Sequence, residues 1–103
     1  MAARILSLVA SIVRVVFAVI AAVLVVHAVF VLFQANPANP LVEFAAGWRN
    51  SFGWFTEDLF TPSDPRIAEA VNAALAAVIW VVAGSLISTL IVRLAPSSSK
   101  VNA

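Results

Sequence analysis

The sequence has no cysteine, no tyrosine and a single histidine, and only 11 of its 103 residues are charged. Each scarcity removes a class of function. Without cysteine there is no disulfide framework, no thiolate nucleophile and no sulfur-based zinc or iron–sulfur site. With one histidine, no Gly-rich phosphate loop and no pair of carboxylates inside an apolar run, no constellation for acid–base, nucleophilic or phosphoryl chemistry can be assembled. The expectation is a protein without catalysis, cofactor or metal. A formal charge of +1 provides no basic field for nucleic acid, so none is expected as a partner.

What is abundant is apolar. Hydrophobic residues make up 63% of the chain, against roughly 45–50% in a soluble domain, and a globule this small would leave many of them in water. Lipid is the fitting solvent. Val15 to Phe33 is broken only by His27, and Ala70 to Val92 carries only Asn72, Ser85, Ser88 and Thr89 as polar side chains; each run is long enough to cross the hydrocarbon of a bilayer. The fold class expected is an all-α integral membrane protein, a two-transmembrane-helix hairpin with spans at 15–33 and 70–92, the second within a helix at 67–94. The first run is too long for a signal peptide, and Phe33-Gln34-Ala35 places a bulky residue where cleavage wants a small one, so an uncleaved anchor is expected. Arg4 and Arg14 precede the first span, Arg93 and Lys100 follow the second, and the connecting segment holds every acid, Glu43, Glu57, Asp58, Asp64 and Glu69. Basic residues stay on the cytoplasmic side, which places both termini in the cytoplasm of a cell with this protein in its plasma membrane. Residues 1–14 read as an amphipathic start to the first helix and 95–103 as a short disordered tail.

The connecting segment, 34–66, is punctuated as an element. Asn39-Pro40 and Asp64-Pro65 each set a capping side chain before a residue suited to the first helical position. Between them Leu41, Phe44, Trp48, Phe52, Phe55 and Leu59 recur at steps of three and four, with Glu43, Asn50, Glu57 and Asp58 on the other side. This predicts an amphipathic helix over about 40–59, lying in the headgroup plane with its aromatics as anchors, either continuous or hinged at Gly47 and Gly53. Trp54 stands off the stripe and is a candidate for an outside contact.

Helix packing has its own signal. Arg4, Ser7, Ser11, Arg14, Ala18 and Ala21 form one stripe, and Ala70, Ala74, Ala77, Gly84 and Ser88 offer the complement, including a small-x-x-x-small pair. Arg14 is expected to snorkel and fix depth. His27, at about 1.5 Å per residue, lies about 9 Å below Phe33, a depth it shares with Asn72 and Glu69. An intramembrane ionisable group is the default suspect for function; the plain reading is a neutral ring hydrogen-bonded to Asn72. His27 also faces away from the Arg4, Ser7, Ser11 stripe, so that both faces are not expected to meet the second span together.

The stretch Asn36-Pro-Ala-Asn-Pro-Leu-Val-Glu-Phe44, leaving one span and followed by an amphipathic segment, a proline and a second span, resembles the YggT family of small bacterial membrane proteins over residues 30–92. It lacks the family's Ser-Trp and the Pro-Leu and Arg-rich loop. The chain is more similar to the short Ala- and Val-rich two-span proteins of actinobacteria. The first resemblance implies a role at the cell envelope or division machinery; neither transfers a catalytic residue. From the residues themselves, the expected role is an interaction or accessory subunit of a membrane complex, with the bilayer and another membrane protein or a second copy as partners. The alternative is a self-assembling, holin-like pore.

Overall fold

The computed structural model describes residues 2–94; the expected tail, 95–103, lies outside them. Among the described residues there are helices and no strands: α1 (Ala2–Leu32), α2 (Pro40–Phe52), a 3-10 turn (Trp54–Thr56) and α3 (Pro65–Arg93). Helices α1 and α3 are each long and apolar enough to cross a membrane.

The starts of α2 and α3 follow from their caps. Asn39 Oδ1 accepts the N–H of Leu41 at 2.9 Å and Asp64 Oδ1 that of Arg66 at 2.9 Å, with proline at the first helical position both times. The Asp64 carboxyl is held below its ordinary value, chiefly by that Arg66 N–H. Helix α3 therefore begins at Pro65, two residues before the boundary that hydropathy alone predicts.

Helices α1 and α3 pack side by side in opposite directions: Arg14 meets Ser88, Phe17 meets Gly84 and Trp80, and His27 meets Glu69. Ala10, Ala21, Leu24 and Ala28 of α1 and Ala73, Ala76, Ala77, Gly84 and Ser88 of α3 are buried. Of the residues expected to pack, Ala21, Ala77, Gly84 and Ser88 lie in this seam, Ala70 is half-buried, and Ala18 and Ala74 are exposed. The expectation that only one face of α1 could meet α3 does not hold. The seam runs along Ala10, Phe17 and Leu24, at steps of seven, and the long side chains of Arg14 and His27, about 140° apart on the helix wheel, reach α3 from its two edges.

Helix α2 is where the structure departs furthest from the expectation. Of the two forms expected over 40–59 the broken one is found, hinged at Gly53 and not at Gly47: α2 ends at Phe52, because Gly53 leaves the helical region and the Arg49 side chain folds across it, and a Cβ there would sit 2.6 Å from Arg49 Nη1. Nor does it lie flat at one end of the pair. It runs back alongside α1: Leu41 and Phe44 share a recess with Val23, Val26 and Phe30, Trp48 Nε1 donates to the Ile20 carbonyl at 3.1 Å, and Trp80 Nε1 donates to the Phe52 carbonyl at 2.7 Å. The physical reason is that indole N–H groups need acceptors when buried, and a carbonyl within α1 and the free terminal carbonyl of α2 supply them. Trp48 and Phe52 pack on the core, while Phe55 and Leu59, past the helix end, are exposed along with Leu41, Phe44 and Trp54. The chain turns at Asp58, whose φ of 57° is left-handed, and climbs back to α3.

Gly47 lies within α2 and a Cβ there would meet nothing within 4 Å. Gly47→Ala should therefore raise stability by about 0.5–1 kcal/mol through helix propensity, read as a later midpoint in detergent unfolding; a fall would show that this side of α2 is covered.

Candidate functional site

Where α2 and the turn meet the helix pair, they bring a knot of polar side chains into an otherwise apolar bundle. Arg49, 4% exposed, is its hub. Its Nε donates to Glu69 Oε2 at 2.9 Å and its Nη2 to Oε1 at 3.5 Å; its Nη1 donates to the Gly53 carbonyl and to Thr56 Oγ1, the latter at 3.1 Å. From α1, His27 Nε2 lies 2.6 Å from the same Glu69 Oε2. Paired with the Arg49 guanidinium, the Glu69 carboxylate accepts from both sides when the histidine presents its Nε2–H. His27 Nδ1 is buried and has no hydrogen-bond partner among the described residues.

Two further side chains tie the returning segment down. Thr56, fully buried, accepts from Arg49 and donates to the Asn72 carbonyl at 2.7 Å. Asn72 bonds the main chain of Phe60 at both ends: Nδ2 donates to its carbonyl and Oδ1 accepts its N–H, each at 2.9 Å. The expected His27–Asn72 bond is thus replaced. Asn72 is occupied by the Phe60 backbone, which no local signal marks as its partner, and His27 turns to the stronger acceptor, a carboxylate.

Chemically, the knot is an Arg–Glu ion pair with the His27 imidazole hydrogen-bonded to the same carboxylate. Breaking such a pair leaves a charge in low dielectric, whereas the intact pair is close to neutral in net stability. Its effect here is to fix where α2 and the turn sit. Among the described residues, no three His, Asp or Glu side chains converge as a metal site.

Arg49 and Thr56 were not singled out in the sequence. Ala45, Arg49, Phe52 and Thr56 are spaced four, three and four apart, a second stripe beside the aromatic one, and an arginine within it is the signal that could have marked the knot.

On the other side of the pair lies a long apolar groove. Ala18, Ala22, Val25, Val78 and Val82 line its lower part and Val29, Leu32, Ile67 and Val71 its upper part, with Val25 and Ala74 common to both. No α2 residue touches it. At the far end from the knot, Arg14 Nη2 donates to Ser88 Oγ at 3.0 Å.

No family model matches the chain, and no curated protein or solved structure matches it.

Proposed function

We propose that this chain is a two-span plasma-membrane protein, both termini cytoplasmic, that acts as an interaction or accessory subunit of a larger membrane complex. The observation that carries this reading is the groove. Its floor is formed by small side chains, Ala18, Ala22 and Ala74 among them, all exposed, and small floors let a further transmembrane helix approach closely enough for dispersion to hold it. The polar knot supports the same role, because its charges are spent on one another and it serves to hold α2 in place. Large apolar side chains exposed at both ends of the helix pair, Ile5, Leu8 and Ile12 near one and Val29, Leu32 and Ile67 near the other, suit a bilayer around it.

Filling the groove tests the proposal. In mild detergent the parent should leave the membrane with an unrelated, larger protein; Ala74→Leu and Ala22→Leu should lose it while inserting and accumulating as the parent does. Recovery of self-oligomers alone would favour the pore reading, and a filled groove that keeps its partner would overturn the proposed surface.

A further inference from the structure

Around its long axis the helix pair has two unlike flanks. Along the groove flank every lining residue from Ala18 to Leu32 and from Ile67 to Val82 is apolar. The α2 flank is mixed, setting polar groups among exposed apolar side chains such as Leu41, Phe44 and Trp54. Asn50 and Ser51 are exposed, and they adjoin Phe52, whose carbonyl is bonded to the indole of Trp80. Trp80 is 15 residues into α3, about 22 Å along the axis from Pro65 at 1.5 Å per residue. The exposed Glu57 and Asp58 are held level with Asn72 by the Thr56 and Phe60 bonds on either side of them. Here too the backbone, from Glu57 to Asp64, is not helical.

These groups and acyl chains do not go together. At bilayer depth, irregular backbone is tolerated only where it is buried in protein or lines water, and exposed carboxylates there face a water-filled cavity or a counter-charge. We infer that, in the membrane the proposed function calls for, the α2 flank is hydrated down to the level of Trp80, forming an acidic notch open to the outside, while the groove flank stays in apolar surroundings over the same height. The notch ends where Phe52, Trp80 and Phe17 stack edge to face, at 5.9 and 5.1 Å between ring centroids. With Glu57 and Asp58 exposed on it and Arg49 tied to Glu69, it admits water and small cationic solutes in preference to anions.

The natural absence of cysteine makes a clean test possible. Single cysteines are placed at Ser51 in the notch, at Val29 on the groove flank nearer the outside, and at Ala18 deeper on that flank. Each full-length variant, in sealed membranes, is treated from outside with a membrane-impermeant cationic methanethiosulfonate and with its anionic counterpart. The expected result is modification of Ser51→Cys and protection of Val29→Cys and Ala18→Cys until detergent is added. The cationic reagent should outpace the anionic one at Ser51→Cys by about tenfold beyond their ratio on a free thiol, and Glu57→Gln with Asp58→Asn should remove that excess. Protection of Ser51→Cys alongside the others would overturn the notch. So would modification of Val29→Cys with Ala18→Cys spared, which would mean a level boundary. Modification of Ala18→Cys would sink the membrane reading itself, a separate failure.

Discussion

Glu69→Leu should be the most damaging substitution in the polar knot, lowering stability by about 2–4 kcal/mol. Removing one partner of a buried ion pair costs about 3–5 kcal/mol; the Glu69 side chain is 33% exposed, and water reaching it trims that figure. The loss arises at Arg49, which is left buried with only the Gly53 carbonyl and Thr56 for company, and at His27, which loses its acceptor. Arg49→Met should cost less, since Glu69 keeps His27 and solvent. Joining the two, Arg49→Met with Glu69→Leu, should restore a good part of the loss, because no unpaired charge remains; contacting residues couple by about 0.5–3 kcal/mol. Unfolding in mixed micelles, followed by tryptophan emission, measures all three. A Glu69→Leu variant within about 0.5 kcal/mol of the parent would show that the ion pair does not hold α2.

Gly84→Leu should separate the two long helices. A Cβ at Gly84 would lie 2.6 Å from Phe17 Cβ and 3.0 Å from its Cγ, so even alanine forces a shift, and the neighbour that must move is the root of a ring wedged against Trp80. Overpacking of this kind costs about 1–3 kcal/mol or more, and here it acts where small residues permit close approach. The order expected is parent, Gly84→Ala, then Gly84→Leu, with Phe17→Ala relieving the alanine variant. Cross-linking between cysteines at Ala10 and Ile91, toward the far end of the pair, should fall in the same order. Equal unfolding midpoints for all three would refute the close contact.

Composition and spacing were enough to reveal two apolar helices and both proline-started caps, because those signals are local: a run length, a cap followed by a proline. Gly84 and Ser88 were legible as packing residues for the same reason. What could not be read was direction. The stripe Leu41, Phe44, Trp48, Phe52 says that one side of α2 is apolar but not whether lipid or protein covers it, and the carbonyls through which the indoles tie it inward, of Ile20 and Phe52, belong to every sequence alike. The knot was hidden for a related reason. Its members come from α1, α2, the turn and α3, and Arg49 in isolation looks like one of two basic residues in a loop rather than the partner of an acid 20 positions away.

The separation between His27 and Glu69, 42 residues, has a consequence for synthesis. At about 5–20 residues per second, the histidine leaves the ribosome some two to eight seconds before the carboxylate it will hydrogen-bond. Within that interval α1 is completed and α2 is made, with Ile20 for Trp48 to dock on but nothing to neutralise Arg49. The knot therefore closes only once Glu69 has been made, and a chain halted between Thr56 and Glu69 holds Arg49 without its counter-charge.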